Sequence, residues 1–232
     1  MRLIWLAGLV AVAAAAIVVV VVAVGGGGGG AKSTNPKAAK AAVAALLKGI
    51  PQSGNTLGNS KAPVTVTEFG DLVCSVCQEF ALTSEQQLIA TDVRAGTVKL
   101  VYRGLETASS TANPGEYVAS QVAARAAGQQ GREWDYVLLW YNEQGSETVP
   151  YVTDSYMQGL AQQVPGLNLP AWQAARNSQT LASAVTADSQ AANALGFNET
   201  PSVAIKGPKG SATPIVGVDT YAQIESEIKQ VS

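Results

Sequence analysis

The chain has 232 residues, with 15 Lys and Arg against 17 Asp and Glu, two cysteines and no histidine. The charges are scattered without a basic run, which argues against a nucleic-acid surface, and two cysteines without histidine leave a zinc site two ligands short within one chain. Two cysteines are also too few for a disulfide-built scaffold, so stability must come from packing.

Residues 3–24 carry no charge and no polar amide. At about 1.5 Å per residue such a helix can cross a hydrocarbon core of ~30 Å. Arg2 and the α-amino group precede it, Trp5 sits where an interfacial anchor belongs, and positive charge on the leading end orients that end to the cytoplasm. A cleaved secretory signal is the competing reading. Its apolar region should run only about 7–15 residues, and Val22-Ala23-Val24 is a poor small-x-small cleavage site. The expected organisation is therefore a signal anchor over residues 1–24 and a tether over 25–60, with the domain proper at 61–232 outside the cytoplasm. Within the tether, Gly25 to Gly30 form an unbroken flexible run. Asn35 and Pro36 then open a juxtamembrane helix over about 36–48, and Gly49 and a polar stretch over 51–60 end it.

Val64, Val66 and Phe69 mark a first strand, and residues 98–102 mark a second after the turn at Ala95-Gly96. Between them, Phe80, Ala81, Leu88 and Ile89 have helical spacing, predicting a helix over 78–91 with the cysteines at its opening. A strand-helix-strand unit of this kind sets its strands parallel in one sheet. From about 107 to 195 the strand signal nearly vanishes. Asn113-Pro114 opens a helix with Val118, Val122 and Ala126 on one face and Gly128 as its stop, and Trp134, Leu138 and Tyr141 repeat that face. Further helices are expected over 154–164, 170–176 and 181–195. Residues 202–205 and 214–216 flank a Gly/Pro turn as a hairpin, and an amphipathic helix over 221–231 closes the chain. The fold class is α/β, one sheet interrupted by a helical insertion.

Cys74-Ser75-Val76-Cys77 is where chemistry concentrates. Cysteines three apart at a helix start face the same way, and the free N–H groups there favour a thiolate, so Cys74 is the expected nucleophile and Cys77 the resolving thiol. A purely structural bridge this short would constrain few unfolded conformations. Glu68, six residues before Cys74, would lie beneath the helix start and exchange protons with Cys77 if it points inward; strand alternation leaves its side open, the alternative being a solvated edge glutamate.

The segment from Gly58 to Cys77, with its Ala62-Pro63 lead-in and Glu68-Phe69 strand end, together with Glu199-Thr200-Pro201-Ser202-Val203, resembles the DsbA-like family of bacterial thiol-disulfide oxidoreductases, in particular its membrane-anchored members. The resemblance implies a thioredoxin-like central sheet with an all-helical insertion, preceded here by one N-terminal transmembrane helix. It also implies Glu68 as the buried acid, and a cis bond at Thr200-Pro201 in a loop that binds substrate by main-chain pairing. It needs neither cofactor nor metal. The implied partners are reduced or misoxidised exported proteins and a quinone-linked redox partner embedded in the membrane. Ser75 and Val76 stand where the family more often has proline followed by an aromatic or histidine. They are the expected redox-tuning residues, and the missing histidine predicts a less acidic Cys74 and a weaker oxidant than the family's strongest. A disulfide donor is the first reading. Alternatives are a reductase or isomerase of the same fold, or a redox-switched binding module whose cap groove would be lined by Trp134, Trp140 and Tyr141.

Overall fold

The structure, a computed structural model, describes residues 35–109, 115–217 and 220–232. The expected membrane span and glycine run lie outside the described residues; no described helix is long and apolar enough to cross a membrane.

Helix α1 (Pro36–Leu47) begins where Asn35 accepts hydrogen bonds from the N–H groups of Lys37 and Ala38, with proline in the first turn. It buries Ala39, Val43 and Leu47, a stripe at i, i+4 and i+8. Strands β1 (Gln52–Ser53) and β2 (Thr56–Leu57) then form a hairpin whose two-residue turn contains Gly54 at φ 55°. Residues expected in a tether thus belong to the fold, which begins well before residue 61. The buried stripe of α1 joins the main core, and β2 adds to the sheet.

Strands β3 (Val64–Gly70) and β4 (Val98–Gly104) are parallel as expected, in register from Val64 opposite Val98 to Gly70 opposite Gly104. The chain between them is not one helix. Helix α2 (Ser75–Leu82) stops at Thr83, whose hydroxyl donates back to the Glu79 carbonyl at 2.6 Å, a local bond that competes with the helical ladder. Helix α3 (Ser84–Leu88) and a π-helical turn (Ile89–Val93) follow.

The insertion consists of α4 (Glu116–Gly128), α5 (Glu133–Glu143), α6 (Asp154–Ala161), α7 (Leu169–Ala175) and α8 (Gln179–Ala194). The expected opening at Asn113-Pro114 lies outside the described residues. Val118 is exposed rather than packed; the buried face of α4 runs instead through Val122, Ala123, Ala126 and Ala127. Helix α5 is enclosed on all sides and packs against both α1 and α4. Trp134, Trp140 and Tyr141 are fully buried core residues, which removes the aromatic groove expected of a binding module. Asp188 of α8 ties the insertion to the sheet, accepting from Arg103 Nε of β4 at 2.7 Å and from Arg125 of α4.

Strand β5 (Ser202–Gly207) returns antiparallel to β3, and β6 (Gly210–Ser211) and β7 (Ile215–Val216) both pair back onto β5. The sheet order is β1-β2-β4-β3-β5-β6, with β7 beside β5. Helix α9 (Tyr221–Val231) starts with a capping box between Thr220 and Gln223 and buries Ile224, Ile228 and Val231. The centre of this sheet, β3, ends directly under the start of α2, and that end carries the site.

Candidate active site

Cys74 is the N-cap of α2. Its sulfur accepts from the Cys77 N–H at 3.4 Å, and its thiol donates to the Thr200 carbonyl at 3.6 Å. Both cysteines are free thiols and buried, Cys77 completely and Cys74 at 6% exposure. The hydrogen bond from Cys77 holds the Cys74 thiol down at about 6; Thr200 and the N–H groups of Cys77 and Val76 add to this, and burial opposes it. The Cys77 thiol is pushed well above its usual range, first by burial and then by its neighbour Cys74. One thiol held down and slightly exposed, and one raised and wholly withheld, are the asymmetry that ordered exchange requires.

The Thr200-Pro201 peptide is cis and lies across from Cys74. The Pro201 carbonyl accepts from the Gly217 N–H at 2.8 Å beside β7, so the carbonyl of this loop that faces the thiol is that of Thr200. Ser75 and Val76 are exposed at the first turn of α2, on the outer side of the site. Glu68 points inward and is 1% exposed. Burial pushes its carboxyl up to about 7, a hydrogen bond from Glu85 draws it back, and the charge of Cys74 adds to the rise. Gly70 leaves the space this acid needs: a Cβ there would lie 2.9 Å from Glu68 Oε1 and 3.0 Å from the Tyr141 hydroxyl.

Cys74, Cys77, Glu68, Thr200 and Pro201 therefore converge, with Ser75 and Val76 at their rim. Several organising residues escaped the sequence reading. The Asp71 carboxyl is fully buried and accepts from the N–H groups of Val73 at 3.0 Å and of Thr107 and Ser109 at 2.9 Å each. Thr107 in turn shares a 2.6 Å hydroxyl contact with Thr200, so Asp71 braces the cis-proline loop through a second loop. The Val73 bond is an Asx-type turn that sequence can signal; the others span more than thirty residues. From the insertion, the Gln144 side chain donates to the carbonyls of Leu72 at 2.7 Å and Cys74 at 3.0 Å. Glu147 Oε2 accepts from the Ser75 N–H at 2.7 Å.

A thioredoxin family model matches residues 52–224. The chain is 24% identical over 155 residues to a probable disulfide bond formation protein D of Bacillus cereus, covering 66% of this chain and 69% of that protein. The namesake from Bacillus anthracis is 23% identical over 153 residues, with the same coverage. Among solved structures, oxidised BdbD of Bacillus subtilis superposes with a TM-score of 0.66 at 20% identity, covering 78% of this chain and 95% of that one. Pseudomonas aeruginosa DsbA2 does so with a TM-score of 0.61 at 20% identity, covering 80% and 97%.

Proposed function

We propose, from the premise that this chain belongs to the thioredoxin family and is a thiol-disulfide oxidoreductase, that it works as an extracytoplasmic disulfide donor to exported proteins. The observation that carries the reading is the unequal environment of its two thiols, Cys74 held down at about 6 and Cys77 buried and raised. In the oxidised protein a substrate thiolate attacks the Cys74 sulfur. The Cys74–Cys77 bond breaks, and Cys77 leaves with the electron pair and takes up a proton. A second substrate thiolate then attacks the substrate sulfur of the mixed disulfide and expels Cys74 as a thiolate. The substrate has lost two electrons and this protein has gained them. A thiol of low pKa is the better leaving group, which favours this direction over reduction of the substrate.

The Thr200 carbonyl beside Cys74 offers a main-chain acceptor to an extended substrate segment, the geometry of strand addition. The names of the Bacillus relatives support a role in disulfide formation. Recharging would pass two electrons and two protons from Cys74 and Cys77 to a membrane-embedded, quinone-linked partner, and residues 1–24 would anchor the chain beside it.

The test is oxidation of a reduced model peptide with the potential measured against glutathione. Cys74→Ser should abolish oxidation, and the wild-type potential should lie nearer the roughly −120 mV of a strong oxidant than the roughly −270 mV of a reductant. Full activity in Cys74→Ser would remove the assignment, whereas a potential at the reducing end would reverse the direction. Labelling of an engineered surface cysteine from outside intact cells tests the location.

A further inference from the structure

Beneath the two cysteines lies a second acid. Glu85, in the first turn of α3, is fully buried, and none of the carboxyl oxygens of Glu68 or Glu85 meets a hydrogen-bond donor from any other described group. They meet each other. Two ionised carboxylates have no proton to share and repel strongly away from water, whereas an acid facing a carboxylate forms a short, charge-assisted O–H···O bond. The other titratable groups around Glu68 are Cys74 and Cys77 of α2, Tyr102 of β4 and Tyr141 of α5, and each of these is neutral or anionic. Arg125 of α4 interacts with Tyr102. The pair thus fills its mutual need with one retained proton.

Resting on the exchange activity proposed above, we propose that Glu85 is a positioning residue that stays protonated and donates its hydrogen bond to Glu68, leaving Glu68 as the member that ionises and exchanges a proton with Cys77. Burial raises both carboxyls, and the two are placed differently: Glu68 stands beside Cys74 and Cys77, whereas the charged neighbour of Glu85 is Glu68, so the proton that moves to and from Cys77 is the one on Glu68. When the internal disulfide re-forms, the Cys77 S–H proton passes to a Glu68 oxygen. The Cys77 thiolate gives its electron pair to the Cys74 sulfur, and the substrate sulfur departs as a thiolate. When the disulfide opens, the leaving Cys77 takes that proton back. Glu85 keeps its own proton in both directions.

The full-length reduced protein is reacted with a chromogenic aromatic disulfide, which releases one coloured thiol when Cys74 attacks and a second when Cys77 resolves the mixed disulfide. The pH midpoint of the second phase is the readout. Glu85→Gln retains a donor and should keep the wild-type midpoint to within a few tenths of a unit. Glu85→Leu fills the space without a proton and should move the midpoint alkaline by about one unit, slowing resolution about tenfold below it. Glu85→Met replaces the leucine variant if that protein does not fold. An unchanged midpoint in Glu85→Leu or Glu85→Met, or an equal shift in Glu85→Gln, overturns the assignment while leaving the exchange activity standing. Absence of a Cys77-dependent second phase in the wild type overturns the activity itself.

Discussion

Replacing Glu147 by glutamine should make the protein a stronger oxidant. Glu147 Oε2 accepts from the Ser75 N–H at 2.7 Å, at the first helical residue after Cys74. Its charge therefore occupies the positive end of α2, where the Cys74 thiolate draws its own support from the N–H groups of Val76 and Cys77. Glutamine keeps an acceptor for Ser75 and removes the charge. A charge at a helix N-terminus is worth about 0.3–1 kcal/mol, and the half-buried position of Glu147 keeps the effect within that range. At about 1.36 kcal/mol per pKa unit, the Cys74 thiol should fall from about 6 by roughly 0.2–0.7 unit. For a two-electron couple, where about 1.4 kcal/mol corresponds to ~30 mV, the potential should rise by roughly 6–20 mV. Ultraviolet titration of the thiolate and equilibration with glutathione read the two quantities independently. Added salt should shrink the difference between variant and wild type, since the screening length falls to about 3 Å near 1 M. A thiol midpoint that stays put or moves upward would refute the reasoning, because no other consequence of the substitution adds charge near Cys74.

Asp71→Asn removes an acceptor from the N–H groups of Val73, Thr107 and Ser109 and sets an amide against donors; it should cost about 2–3 kcal/mol, seen as a lower urea midpoint with an unchanged slope, and an unchanged midpoint would deny Asp71 its bracing role. In the oxidised protein, where neither thiol titrates, stability should fall as pH rises from about 4.5 to about 7. Burial raises Glu68 and Glu133 from 4.5 to about 7, so across that window the folded state binds more protons than the unfolded chain. Urea midpoints at either end of the window check the sign, and Glu133→Gln should flatten part of the slope.

What could be read before folding was local. The CxxC at a helix opening, the strand before it and the Asn35 cap each depend on residues within a few positions of one another, and the structure has all of them; the cis bond at Thr200-Pro201, which only the family resemblance implies, is present too. Strands β1 and β2 went unnoticed because two residues cannot show alternation; their only signal was Gly54-Asn55 at the turn. Thr83 was unremarkable in a helical stretch, yet its back-bond to Glu79 ends α2. Glu85 did leave a trace: it lies four residues after Ala81 and three before Leu88, on the apolar stripe, so a charged side chain was due to be buried. Its partner Glu68 could not be found that way, since their meeting depends on how α3 lies against β3. The same holds for Gln144 and Glu147, whose partners lie some seventy residues earlier.

The insertion does more than cover the sheet. Its α5 and the loop that follows grip the segment holding Cys74 at several points. Gln144 takes the carbonyls of Leu72 and Cys74, Tyr151 reaches the Leu72 carbonyl, and Gln78 answers from α2 by donating to the Tyr141 carbonyl at 2.6 Å. Glu147 brings the one charge in that set, and it stands against the helix end on which the thiolate depends. Ser75 and Val76, the residues expected to tune the site, expose their side chains, and the tuning contact here is made by the Ser75 main chain. That main-chain N–H is available with any residue but proline at position 75, so serine here, where the family more often has proline, is what permits the contact. Hydrogen bonds from Cys77, Thr200 and the Val76 N–H hold the Cys74 thiol down. Glu147, some seventy residues on, stands at the same helix end, and replacing Val76, or replacing Ser75 by any residue but proline, should leave its contact in place.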